Sequence, residues 1–428
     1  MSHSDEHCRM TESSPSRVLT ILVMVLLAAF GVCYIFSTGY LGSSYPIRPN
    51  WLRQCVFLGI GGVACWRMAR MDNRRALWRA VIWGGYGVSV ALLAVVLLAG
   101  RQIGGARRWL SLGPFLLQPA EFAKVFTILA MALLLSGEVC RRRRQELGWA
   151  LLCFAVPFGL ILLEPSYGNA GSLIPCLLVL LGIRFSPKWL WKLSLLVLVI
   201  CLFGGAYGVF HLRNQPPEAW DAPTASVSGL GRFLRGYHVR RLRAYLSPEG
   251  DWNEQQSLMT VAGGGWSGKG YLNGTMKRLG FLPRTVAPTD FIFAVIAEEG
   301  GLLFGVLPVL FLYALLIGLL LHRASCAASR LDLNLLAAGS TLLFVHILVG
   351  VGMSIRLIPV IGLPLPLLSY GGSFTLSVLI LLGALLGARQ TMWEEDAEEG
   401  EKPTSPSAPP CRSFRLGPLL RIRVKEED

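Results

Sequence analysis

The chain has 428 residues, 53% of them hydrophobic and only 15% charged, with a formal net charge of +14 and a mean hydropathy of +0.52. Soluble domains carry about 25% charge, so the composition excludes a soluble enzyme and points to a polytopic membrane protein. In such a protein the basic excess sets topology and attracts anionic headgroups, so it is no argument for nucleic acid. The ten cysteines and six histidines are scattered, without a CxxC pair or a His/Cys cluster. That spacing gives neither a zinc site nor a disulfide framework. No GxxxxGK[ST] loop occurs, so ATP is not implied.

Residues 1–17 are polar and are expected to form a cytoplasmic tail. No small-residue cleavage site follows the first apolar run, so a cleaved signal peptide is not expected. Ten spans are expected, at 18–37, 51–67, 80–100, 119–136, 149–163, 170–185, 189–210, 291–321, 333–352 and 370–388. The fifth and sixth are short for a hydrocarbon core of about 30 Å. Arginines set the orientation. They cluster after span two (Arg67, Arg70, Arg74, Arg75, Arg79), after span four (Arg141 to Arg144), after span six (Arg184, with Lys188) and after span eight (Arg323, Arg330). The positive-inside rule places these loops in the cytoplasm. The whole is read as an all-α, ten-helix membrane domain over 18–388 with both termini inside. The tail 389–428 is charged and Pro/Ser-rich, and is expected to be disordered.

The segments expected outside are 39–50, 101–118, 164–169, a large loop at 212–290 between helices seven and eight, and 354–369. Residues 212–289 carry ten Lys/Arg against five Asp/Glu. Long loops are exempt from the orientation rule, so either an anionic partner or simple solvation accounts for that excess. Within it, 230–246 forms an imperfect amphipathic pattern that suits a helix lying in the outer interface.

Four of the outside motifs carry chemistry. The first is Arg107-Arg108-Trp109, followed by Gln118-Pro119-Ala120-Glu121 and Lys124. Glu121 and Lys124 are three apart, so they pair on one helix face. Charges at membrane depth are expensive, which makes the pair a functional candidate as well as a structural salt bridge. Trp109 is either an interfacial anchor or a stacking platform for a sugar. The second is the tight turn Glu164-Pro165-Ser166-Tyr167-Gly168-Asn169. The third runs from Gly263 to Asp290, with six glycines between Gly263 and Gly274 and Lys269 among them. Glycine lets backbone N–H groups approach a ligand, and a lysine there suits phosphate. Asp290 opens an apolar run at the water–lipid boundary. There it is either a helix cap or a partly desolvated carboxylate with a tuned pKa. The fourth runs from Arg356 through Pro359, Pro364 and Pro366 to Ser369-Tyr370-Gly371-Gly372. So much Pro and Gly at membrane depth is tolerated only inside protein or along a polar cavity.

RWLSLGPFLLQPAEFAK, GGGWSGKGYLNGT, TDFIFAVIAEE and PVIGLPLPLLSYGGS resemble the signatures of the SEDS family (RodA, FtsW, SpoVE), in order over all ten spans. Pro364-Leu365-Pro366 is closer to RodA than to FtsW. The resemblance implies a peptidoglycan glycosyltransferase that polymerises lipid II, an undecaprenyl-pyrophosphate disaccharide-pentapeptide, at the outer face of the bacterial cytoplasmic membrane. It implies a class B penicillin-binding protein as transpeptidase partner and a role in cell elongation and shape. By this match Asp290 is the essential aspartate. Trp109, Glu121, Lys124, Lys269, Gly270, Thr275, Thr289, Ser369, Tyr370, Gly371 and Gly372 fall at substrate-binding positions. Asp290 would be the general base for the attacking sugar hydroxyl. Lys269, basic loop residues or a divalent cation (Mg or Mn) would neutralise the departing pyrophosphate. Glu298 and Glu299 are read as buried polar anchors, since Glu298 lies about 12 Å along a helix from Asp290. The sequence departs from the family pattern at Ser166 (usually Asp), Pro288 (usually His), Gly350 (usually Asn) and Arg356 (usually Gly). Two other readings are a lipid II flippase and a non-catalytic scaffold for the penicillin-binding protein.

Overall fold

The computed structural model describes residues 15–40, 49–71, 75–103, 106–113, 115–137, 139, 142–185, 252–389, 411–415 and 421–425. Numbered within these, the helices are α1 (Pro15–Gly39), α2 (Asn50–Arg70), α3 (Arg75–Ala99), α4 (Pro119–Leu134), α5 (Arg143–Leu163) and α6 (Tyr167–Phe185). They continue with α7 (Trp252–Ala262), α8 (Thr275–Arg278), α9 (Ile292–Gly300), α10 (Leu307–Ser325), α11 (Arg330–Ser354) and α12 (Gly372–Gly387). Nine of the ten expected spans coincide with these helices. The expected span at 189–210, the amphipathic stretch 230–246 and the loop residues 212–251 lie outside the described residues. Among the described residues, six helical stretches are long and apolar enough to cross a membrane, and α12 is a shorter apolar helix.

α4 is the centre of the bundle. It packs against α3, α5, α6, α11 and α12, and nearly all its side chains are buried. Pro119 opens it at the first helical position, where no backbone N–H is needed. Around it lies one continuous core that includes Ile128, Leu133, Leu173, Leu336, Leu343 and Leu382. α11 starts at a capping box: Ser329 accepts from the Asp332 amide at 3.1 Å, and its hydroxyl donates to the Asp332 carboxylate at 2.6 Å.

Three features differ from the sequence reading. The all-α expectation misses a small antiparallel sheet, β1 (Arg101–Ile103), β2 (Ala106–Leu112) and β3 (Phe115–Leu117), between α3 and α4. Its sequence carries the hairpin punctuation Gly104-Gly105 and Gly113-Pro114 between short arms, which the helical periodicity of the flanks masked. The expected single span 291–321 is broken: α9 ends at Gly300, its cap residue Gly301 has φ at +65°, and Gly301–Val306 is π-helical before α10. Such π segments mark helices that are adapted locally, often beside functional sites. Lastly, within the tail expected to be disordered, β4 (Cys411–Arg415) pairs antiparallel with β5 (Arg421–Lys425).

Candidate functional site

Asp290 lies in the turn before α9 and is half-buried. The fourth motif wraps around it. The Tyr370 amide donates to the Pro288 carbonyl at 2.8 Å, and the Ser369 hydroxyl donates to the Thr289 carbonyl at 2.7 Å. The same Ser369 oxygen accepts from the Leu365 amide at 2.9 Å. On the other side, a Cβ placed on Gly362 would stand 4.0 Å from the Asp290 carboxylate. The proline-rich segment is therefore irregular backbone buried in protein, as its composition requires. Ser369 acts as the staple that ties the residue before Asp290 to the proline-rich segment. Gln54 of α2 holds the turn from behind: its amide nitrogen donates to Thr375 at 2.9 Å, and its oxygen accepts from the Gly371 amide at 3.3 Å.

The other motifs reach this turn by direct contacts. Gly168 meets the fourth motif so closely that a Cβ there would lie 2.9 Å from the Ile361 carbonyl. Ser373, next to the Tyr370–Gly372 turn, bonds the Gln118 amide at 3.0 Å and the Leu116 carbonyl at 3.3 Å. Arg108 on β2 donates to the Glu164 carbonyl at 3.2 Å and to the Pro165 carbonyl. Strand alternation then puts Trp109 on the opposite face of the sheet from Arg108. Glu121, Lys124, Asn169 and His346 form one buried cluster. Lys124 Nζ lies 3.0 Å from Glu121, 2.8 Å from Asn169 Oδ1 and 3.0 Å from His346 Nε2. His346 Nδ1 lies 2.9 Å from the Leu342 carbonyl, which makes it the protonated nitrogen and leaves Nε2 to accept from lysine.

The glycine loop has a different job from the one its composition suggests. Gly264 and Gly268 lie flush on the backbone of α9: a Cβ would stand 1.9 Å from the Ala297 carbonyl and 2.2 Å from the Glu299 carbonyl, respectively. The Lys269 and Gly270 amides donate to the Glu298 and Glu299 carbonyls, both at 2.9 Å. One Glu298 oxygen takes the Lys269 ammonium (2.7 Å), the Thr275 hydroxyl (2.8 Å) and the Thr275 amide (2.9 Å). Glu299 takes the Ser37 hydroxyl (2.7 Å), the Leu272 amide (3.1 Å) and the Lys277 ammonium. The glycines thus serve close approach rather than a phosphate cradle, and the polar atoms of Gly270 and Thr275 are used inside the protein. Burial holds the Lys277 ammonium below the usual lysine range, and Glu299 opposes that. The Lys269 side chain keeps 31% of its surface exposed, so its charge still faces solvent.

Two positions where the sequence departs from the family pattern have a structural partner. Arg356 has φ at +57°, a region that favours glycine, and its Nε lies 3.9 Å from Glu254. Ser166 accepts from the Asn169 amide at 3.0 Å and so joins the Lys124 cluster. Sequence reasoning missed Gln54 and His346. Each is a polar residue within an apolar run, which is the signal that would have found them. The sequence left a divalent cation open. Among the described residues no three His, Cys, Asp or Glu side chains gather as a metal site.

Glu164 carries its own pH dependence. It is fully buried, and neither carboxylate oxygen has a hydrogen-bond partner. Burial pushes the carboxyl up to about 8, against the pull of Arg108. A carboxyl raised in the folded state contributes stability below its unfolded value, and this is lost as pH rises from there through about 8. Glu164→Gln, which stays neutral, is expected to match wild type in Tm near about pH 4 and to exceed it near about pH 9. Thermal unfolding in detergent measures this; parallel falls in the two proteins would place the titration elsewhere.

Residues 17–392 match the family model described as a cell cycle protein of the FtsW/RodA/SpoVE type. The chain is 30% identical to the peptidoglycan glycosyltransferase RodA of Treponema pallidum, over 87% of this chain and 97% of that protein. Its fold is similar to a solved chain from work on the coordination of polymerization and crosslinking by a peptidoglycan synthase complex. That likeness has a TM-score of 0.63 and 30% identity, covering 86% of this chain and 96% of the other. It is also similar to the crystal structure of the rod shape determining protein RodA of Thermus thermophilus, with a TM-score of 0.57 and 26% identity, covering 86% and 94%.

Proposed function

The chain belongs to the FtsW/RodA/SpoVE family, and on that basis we propose that it is a multi-pass peptidoglycan glycosyltransferase that polymerises lipid II at the outer face of the bacterial cytoplasmic membrane. The observation that carries the reading is Asp290, held between the Ser369–Tyr370 turn and Gly362 where the four outer motifs converge. A sugar hydroxyl of one chain end attacks the anomeric carbon of the next disaccharide. The new glycosidic C–O bond forms as the bond to the undecaprenyl pyrophosphate breaks. Asp290 takes the hydroxyl proton, a role worth about 10²–10⁴-fold in rate. Lys269 and the exposed Arg284 supply positive charge towards the departing pyrophosphate. Trp109, on the central strand β2 and half-buried, is proposed to stack on a sugar ring. Glu121 and Lys124 hold the floor beneath, with Gly371 and Gly372 forming its rim.

The ten-span topology, with both termini cytoplasmic and 212–290 outside, belongs to the same proposal. It predicts that an impermeant thiol reagent on intact cells labels Leu279→Cys and spares Arg143→Cys, both at exposed positions. The reverse pattern would invert the protein in the membrane. A transpeptidase partner of the class B penicillin-binding type is supported by the likeness to a complex that couples polymerization to crosslinking. Fluorescent lipid II given to the purified protein tests the activity. Chain growth supports the enzyme. Translocation in liposomes without growth would make it a flippase, and neither would leave a scaffold.

A further inference from the structure

α11 ends in a tight exit. The Leu357 amide donates to the Gly352 carbonyl at 2.9 Å, and the Arg356 amide donates to the Met353 carbonyl at 3.3 Å. With Ile355 as the cap residue, these are the two bonds of a Schellman motif. Arg356 fills its left-handed position, with φ at +57°. Glycine is the usual occupant there, because a side chain in that region is strained. Such strain persists where the surroundings hold the residue in place, and α7 supplies a hold. Glu254, in the first turn of α7, has its side chain 2% exposed, and its Oε2 stands 3.9 Å from Arg356 Nε. Its Oε1 accepts from the Val360 amide at 3.0 Å. One turn further along α7, the Ser257 hydroxyl donates to the carbonyl of Ser354, the last residue of α11, at 2.9 Å. α7 thus grips the exit at Ser354, Arg356 and Val360.

The segment gripped in this way leads to Asp290. The Ile361 amide, next to Val360, donates to Met353 Sδ at 3.2 Å, and the Ile361 carbonyl lies against Gly168. Gly362 follows, with φ at +72° and the Asp290 carboxylate 4.0 Å from where its Cβ would stand. α7 also packs on α9, the helix that Asp290 leads into. One short helix therefore touches both sides of the place where Asp290 sits. Burying a carboxylate is costly unless it is paired and hydrogen-bonded. An apolar side chain would cost less at position 254 if α7 only had to pack there.

We propose that Glu254 is a positioning residue for Asp290: by holding Val360 and Arg356 it sets the backbone of Ile361 and Gly362 against the Asp290 carboxylate, without touching substrate. The inference rests on the reading of Asp290 as the general base. The test uses the full purified chain and fluorescent lipid II, with kcat, KM and Tm measured, together with amide hydrogen exchange over 357–362. Glu254→Gln keeps an oxygen for the Val360 amide and loses the charge, whereas Glu254→Ala loses both. Glu254→Ala is expected to lower kcat at least about tenfold, as misplacement at a distance from the chemistry does. KM should stay at the wild-type value, and exchange over 357–362 should speed up. Glu254→Gln is expected to recover kcat to within about fivefold of wild type, the gap between a charge-assisted and a neutral hydrogen bond. If Glu254→Ala fails to fold, Glu254→Met fills the same space without the carboxylate and should show the same loss of kcat. A raised KM with kcat unchanged would put Glu254 or Arg356 in contact with substrate and overturn the proposal. So would a fall of kcat in step with Tm that Glu254→Gln does not recover, which would leave Glu254 a prop of the fold. Polymer from the wild type with kcat unchanged in Glu254→Ala and Glu254→Met would overturn this inference alone. No polymer from the wild type would fail the glycosyltransferase reading itself and take the inference with it.

Discussion

Glu121→Ala is expected to lower the folded yield, not activity alone. Glu121 and Lys124 are paired at 3.0 Å with side chains 3% and 1% exposed, inside a helix whose side chains are nearly all buried. Removing the carboxylate leaves an ammonium in low dielectric. Asn169 and His346 still accept from it, but neither carries a compensating charge. Stranding one half of a buried pair costs about 3–5 kcal/mol, a large part of a typical stability of about 5–15 kcal/mol. The monodisperse fraction after detergent extraction, together with Tm, measures it. Yield and Tm equal to wild type with polymerisation lost would move Glu121 from the floor of the site into direct contact with substrate.

How far the sequence revealed this arrangement depends on the range of each contact. Glu121 and Lys124 were legible because helical spacing alone brings them together. Asp290 was legible because it is the one acid between Glu254 and Glu298 and opens an apolar run. The proline-rich segment before Ser369 was legible as non-helical, and its backbone is irregular from Arg356 to Tyr370. Lys269 suits phosphate by its place in a glycine-rich loop, and Gly270 and Thr275 fall at substrate-binding positions by the family resemblance. Their partners, Glu298 and Glu299, stand 23 to 29 residues away, and no local pattern announces a pairing at that distance. Both glutamates are buried and anchor the loop, as expected of them. Ser369 illustrates the same limit: its hydroxyl bonds the Thr289 carbonyl, 80 residues away, a contact with no local signal. The short sheet escaped because arms of three to seven residues carry little periodicity beside long apolar helices.

The larger effect belongs to Asp290. Asp290→Asn keeps the size of the side chain and its capacity to cap a turn. The staples just before it use the backbone carbonyls of Pro288 and Thr289, which the substitution leaves in place. Insertion, folding and partner binding should therefore survive. The amide cannot accept the hydroxyl proton, so a general base is lost, and the loss in rate should be at least about 10²-fold. The direct measurement is glycan polymerisation from fluorescent lipid II by purified wild-type and Asp290→Asn proteins, matched for folded protein and equal in Tm. The account predicts polymer from the wild type and none above about one hundredth of that rate from the variant. Equal polymerisation by the two would contradict it and remove Asp290 from the chemistry.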